Sequence, residues 1–137
     1  MTPQKKIMAF GTFDYFHAGH ENFLAQAKTL GDFLLVVISR DKTVQKIKSE
    51  PPRHTENERL KTVEKNPNVN KAVLGDLDDH YTAIKKYRPD VIALGYDQHV
   101  FTLRLKKILI DAKLNTEIHR LTAYKPDIYK SSIMKKK

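Results

Sequence analysis

With 137 residues and 40% apolar side chains, the chain is long enough for one compact domain with its own core and too short for two. It holds no cysteine, which excludes disulfides and thiol chemistry. No apolar run approaches a membrane span, and Lys5-Lys6 precede only four apolar residues, too few for a signal peptide, so the expectation is a cytoplasmic protein. The net charge of +9, from 25 Lys and Arg against 16 Asp and Glu, fits either a solvated basic surface or an anionic partner. The basic residues are scattered apart from Lys46-Ile47-Lys48 and Lys135-Lys136-Lys137. No nucleic-acid module and no basic–aromatic alternation is present, so no nucleic-acid partner is expected.

In chain order, Ile7-Met8-Ala9-Phe10 reads as a short strand, and Gly11 to Asp14 as a turn. Phe23, Leu24, Ala27 and Leu30 then recur at the spacing of one helix face. Phe33 to Ile38 is an unbroken apolar run without alternation, as a strand buried on both faces of a parallel sheet requires. Ser39-Arg40-Asp41 ends it, and a charged segment with Pro51-Pro52 follows to His54, where a helix is improbable. Thr55-x-x-Glu58 has the pattern of a capping box, opening a helix that carries Leu60 and Val63 and stops at Asn66-Pro67-Asn68.

Lys71 to Leu74 reads as a third strand closed by Gly75-Asp76, followed by a short helix with Tyr81, Ile84 and Tyr87 inward. Val91 to Leu94 is a fourth strand, ending at Gly95-Tyr96-Asp97-Gln98. Phe101, Leu105, Ile108, Leu109 and Ala112 mark the best amphipathic helix, and Glu117 to Leu121 a weaker fifth strand. The tail carries Tyr124, Pro126 and Tyr129. This alternation predicts an α/β fold: one Rossmann-like domain over residues 1–137, its five-stranded parallel sheet flanked by helices.

On such sheets ligands bind at the carboxyl ends of the strands, near the topological switch point. Thr12 to His20, Arg40, Gly75-Asp76 and Gly95 to Gln98 all fall at such ends. His17 and His20 stand three apart where the first helix opens, and a helix N-terminus favours an anion. Taken singly, Gly11 is an ordinary turn glycine and either histidine a solvated cap. A zinc site would need His and carboxylate partners, and His20-Glu21 lacks the second histidine that a zincin helix carries four residues on. No protein metal site is therefore expected.

Gly11-Thr12-Phe13-Asp14 followed by His17-x-Gly19-His20 closely resembles the signature of the HxGH nucleotidyltransferases. That group includes glycerol-3-phosphate cytidylyltransferases, phosphopantetheine adenylyltransferases and archaeal-type FAD synthases. The resemblance implies nucleotidyl transfer, in which a phosphate-bearing acceptor attacks the α-phosphate of a nucleoside triphosphate. It assigns His17 and His20 to the triphosphate, with Ala18 and Gly19 between them, and lets Thr12 and Phe13 line the nucleotide. Lys46 stands where similar enzymes carry a lysine that closes on the phosphates; Lys42 and Lys48 are its rivals. Arg59 matches a family arginine, and its planar fork suits phosphate, with a surface salt bridge as the alternative. His54, His80, His99 and His119 have no motif context and read as structural.

Ala93 to Gln98 resembles the adenylyl-transferring relatives, in which Asp97 would contact the nucleotide. Leu74 to Asp79 and Ser131-Ser132-Ile133-x-Lys135-Lys136 look like the archaeal-type FAD synthases. Cytidylyltransferases carry Arg-Thr-Glu-Gly-Ile-Ser-Thr near the C-terminus; here Ala123-Tyr124-Lys125-Pro126-Asp127 stands nearby, without that arginine and glycine. The resemblance therefore points to ATP and FMN as substrates. A divalent cation, Mg²⁺, would be bound through the triphosphate, and Tyr124, Tyr129 and Tyr96 could supply a slot for the isoalloxazine ring. Similar enzymes are often dimers. The rivals are a glycerol-3-phosphate cytidylyltransferase and, from another class, a non-catalytic basic module for RNA or nucleotides.

Overall fold

The structure is a computed structural model that describes residues 4–14, 16–42, 54–75, 82–95 and 99–121. Among the described residues, five strands and four helices are delimited in chain order: β1 (Lys6–Gly11), α1 (Ala18–Lys28), β2 (Phe33–Ile38), α2 (Glu56–Glu64), β3 (Lys71–Leu74), α3 (Thr82–Tyr87), β4 (Val91–Leu94), α4 (His99–Asp111) and β5 (Glu117–Arg120). The strands form one sheet in the order β3-β2-β1-β4-β5, and every neighbouring pair is parallel. The chain leaves the central β1 toward β2 and β3, then crosses back to lay β4 and β5 on the other side. The switch point therefore lies between β1 and β4, where the α/β rule places a ligand.

Both faces of the sheet are covered, which explains the unalternating apolar runs. Ile7 and Ala9 of β1, Leu34, Val36 and Ile38 of β2, and Val91 and Ala93 of β4 pack in one cluster with Leu24 and Ala27 of α1 and Val63 of α2. The alternate residues Met8, Leu35, Val37, Ile92 and Leu94 form a second cluster with Ile84, Leu105 and Leu109. Period-two alternation divides the three central strands β1, β2 and β4 between two cores rather than between core and water.

The predicted strands agree with the observed ones within a residue or two at each end. Thr55 caps α2 as expected: its side chain accepts from the Glu58 N–H while Glu58 reaches back to the Thr55 N–H. Hydrogen bonds to the Glu58 carboxyl from the Thr55 backbone N–H and the Thr55 hydroxyl hold it below the usual carboxylate range. Tyr81 and Ala123 to Lys137 lie outside the described residues.

Candidate active site

Gly11 ends β1, and the chain then folds back on itself. A Cβ at Gly11 would lie 2.6 Å from Phe13 Cε2 and 2.8 Å from Cζ, so the Phe13 ring occupies the space that any other residue would need. Phe13 itself has φ 57°, a left-handed conformation that costs a non-glycine residue energy and calls for restraint by its surroundings. Its ring is buried and meets Phe16, Phe23 and His20, the last edge-on at 5.4 Å between centroids.

The two motif histidines build the start of α1. His17 is the N-cap, and its Nδ1 accepts a hydrogen bond from the Gly19 N–H at 3.0 Å. His20, three residues on, accepts from the His17 N–H through its own Nδ1 at 3.3 Å. Together they form a capping box with histidines in both roles, where Ser or Thr and Glu or Gln are usual. The reading of a motif histidine as a cap thus describes what His17 does locally.

Each ring is an acceptor at Nδ1, so the neutral tautomer carries its proton on Nε2. The rings stack at 3.9 Å with 21° between their planes, and the Nε2 atom of His17 is buried. Burial of His17 lowers its pKa below the usual histidine value, because the charged ring would lose hydration.

Buried polar contacts fasten the turn to the rest of the fold. Asp14, only 6% exposed, accepts from the His54 N–H at 3.1 Å and pairs with His54 Nδ1 at 2.9 Å. Sequence gives His54 no motif context, yet the structure sets it against the motif aspartate. The Arg59 side chain is 1% exposed and reaches from its buried position to Asp41, whose side chain is 37% exposed. Nη1 donates to the Thr12 carbonyl at 2.8 Å, Nε to the His54 carbonyl at 3.1 Å, and Nη2 pairs with Asp41 at 2.7 Å. In this structure Arg59 ties the motif turn to α2 and to the exit of β2.

At the neighbouring strand ends, Arg40 donates to the Gly75 carbonyl and pairs with Glu56 at 2.9 Å. Arg120 donates to the Gly95 carbonyl at 3.0 Å, linking the ends of β5 and β4. Thr12, Phe13, His17, Ala18, Gly19 and His20 are thus gathered in one turn and helix start at the carboxyl end of the central strand, with Arg59 packed behind it. Lys46, Asp97 and Tyr124 lie outside the described residues, as do Tyr96, Lys48 and Tyr129. Among the described residues no three His, Cys, Asp or Glu side chains converge on a point that could hold a metal ion.

The model of one family, cytidylyltransferase-like, matches residues 8–137, nearly the whole chain. The chain belongs to the cytidylyltransferase-like family. Within it, the chain is 44% identical to an FAD synthase of Ferroglobus placidus over 120 residues, which cover 87% of this chain and 77% of that one. It is 39% identical to an FAD synthase of Thermoplasma acidophilum over 132 residues, 96% of this chain and 92% of the relative. A crystal structure of the lipopolysaccharide core biosynthesis protein of Thermoplasma volcanium superimposes with a TM-score of 0.83 at 34% identity, covering 89% of this chain and 99% of that one.

Proposed function

We propose that the chain transfers the AMP moiety of ATP to FMN, giving FAD and pyrophosphate. The carrying observation is the stacked His17–His20 pair at the start of α1, with both Nδ1 atoms engaged as acceptors of backbone N–H groups. Similarity to FAD synthases over most of the chain supports the choice of acceptor and nucleotide.

In the reaction a phosphate oxygen of FMN attacks the α-phosphorus of ATP. A new P–O bond forms, the bond to the bridging oxygen breaks, and pyrophosphate leaves with the electron pair. Charge grows on the departing group and on the non-bridging oxygens, and fixed donors that need no reorganisation stabilise it. His17 and His20 supply such donors from their Nε2–H groups. The backbone N–H groups at the start of α1 add the positive end of the helix dipole. Thr12 and Phe13 line the nucleotide, Ala18 and Gly19 let it approach the helix start, and Lys46 and Asp97 contact the phosphates and the nucleotide. Tyr124 flanks the flavin ring.

A divalent cation, Mg²⁺ in this reading, enters with the triphosphate and neutralises part of its charge, held mainly by phosphates and water. No helix among the described residues is long and apolar enough to cross a membrane. The same reading makes the protein a cytoplasmic enzyme, able to form a homodimer, with small-molecule substrates and no nucleic-acid partner. The cytidylyltransferase-like description of the family keeps CTP in view as a second nucleotide, with glycerol-3-phosphate as the acceptor to test beside it. Pyrophosphate release measured for ATP and CTP, each with FMN and with glycerol-3-phosphate, separates the two. FAD eluting with flavin absorbance from ATP and FMN alone is the expected result; CDP-glycerol in its place would overturn the flavin assignment.

A further inference from the structure

Arg59 is the largest fully buried side chain among the described residues, and it is charged. Burying a guanidinium is a poor way to hold a helix against a sheet, because an apolar side chain of similar size avoids the desolvation cost. What the guanidinium does that an apolar side chain cannot is grip carbonyls. One of the two it grips belongs to Thr12, the peptide immediately before the left-handed Phe13. Turning that peptide would swing the Phe13 ring, which is edge-on to His20, and His20 is stacked on His17. An unbroken chain of contacts thus runs from the buried Arg59 through Thr12 and Phe13 to both histidines. At its other end the same guanidinium is fixed by Asp41 and by the carbonyl of His54, whose ring and N–H hold Asp14 of the motif.

We propose that Arg59 is a positioning residue for the histidine pair: without touching the nucleotide, it holds the Thr12 carbonyl so that Phe13 stays left-handed and props His20 against His17. The proposal rests on nucleotidyl transfer at this site but not on the identity of the acceptor. Misplacing a reacting group by about 1 Å from a distant substitution costs roughly 10²-fold in rate, which sets the scale of the effect.

The test uses the full-length protein with Arg59→Met, Arg59→Lys and Phe13→Leu. Long-range ¹H–¹⁵N spectra of the imidazoles, recorded without substrate, report the tautomer of each histidine. The wild type should show Nε2–H tautomers for His17 and His20. Arg59→Met should shift both toward mixed tautomers and lower kcat roughly 10²-fold, with KM for ATP changed by less than about threefold. Arg59→Lys should recover part of both. Phe13→Leu should reproduce the imidazole change with Arg59 intact, and it carries the test if Arg59→Met does not fold. A raised KM for ATP with unaltered imidazole spectra would make Arg59 a direct phosphate ligand and overturn the proposal; so would normal turnover in Arg59→Met. Because the spectra need no substrate, a protein that made no FAD could still pass this test, and the two failures stay distinguishable.

Discussion

His17 has two roles that different substitutions separate. As the N-cap of α1 it accepts the Gly19 N–H at 3.0 Å through Nδ1, and in the proposed reaction its Nε2–H is the donor to phosphate. Asparagine places its Oδ1 where the imidazole has Nδ1, and it is among the best caps, but it has no donor at the position of Nε2. His17→Ala should therefore lose the cap, at a cost of about 1 kcal/mol. For a chain of this length that corresponds to a fall in Tm of roughly 3–5 °C. It should also lose one transition-state donor, worth about 10²- to 10³-fold in kcat. His17→Asn should keep nearly all of the stability and lose the same rate. Calorimetry gives the first quantity, and pyrophosphate release at saturating ATP and FMN gives the second. If His17→Asn turns over within about threefold of wild type, the Nε2–H donor is not part of the chemistry and the site assignment fails. If His17→Ala melts with the wild type, the cap contributes nothing.

Three further outcomes follow from the same geometry. Gly11→Ala should cost about 1–3 kcal/mol in urea unfolding, since its Cβ would sit 2.6 Å from the buried Phe13 ring, and clearly less in a Phe13→Leu background, where that clash is relieved. The lowered pKa of His17 means that below the usual histidine value, about 6.5, the unfolded chain takes up a proton that the folded one resists. Its contribution to stability is thus complete above that pH and lost as pH falls through the folded value, and kcat/KM should fall over the same acid window in a pH–rate profile. Lys46→Ala should lower kcat more than Lys48→Ala, and equal small effects from both would leave Lys46 a solvated side chain.

Much of the scaffold is legible from the residues because the strands are buried on both faces. Leu34 to Ile38 and Val91 to Leu94 are apolar at every position, a pattern that a parallel sheet between two helical layers both permits and requires. The α2 boundary is legible too, because Thr55 and Glu58 use the usual capping chemistry. The start of α1 is legible in place, and a histidine cap is among its readings, but the reciprocal use of His17 and His20 in one capping box shows only once both Nδ1 atoms are seen accepting backbone N–H groups. The burial of Arg59 has a sequence signal: it lies four residues before Val63, on the inward face of α2. Taken as a charge it suggests phosphate, and only its surroundings reveal the carbonyls it holds. The Asp14–His54 contact has no local signal, because it joins residues 40 apart through the fold.

The use of histidine as a cap ties the local structure of this turn to its chemistry. A serine at position 17 would satisfy the Gly19 N–H equally well, but it would leave no donor on the far side. An imidazole that accepts at Nδ1 must, while neutral, carry its proton on Nε2, so the requirement to cap the helix also selects the tautomer that a phosphate needs. Protonation would turn Nδ1 into a donor facing another donor, at the positive end of a helix dipole and in a partly desolvated site. The lost cap, the dipole and the desolvation all act in the same direction, and the second ring stacked at 3.9 Å disfavours a pair of cations. Neutral donors suit this reaction. The attacking phosphate of the acceptor is largely ionised at pH 7, with a second pKa near about 6, so it needs no general base to remove a proton. What the transition state lacks is stabilisation of charge on oxygen, and in the proposed reaction the fixed pair of imidazole N–H groups would provide that without a proton having to move.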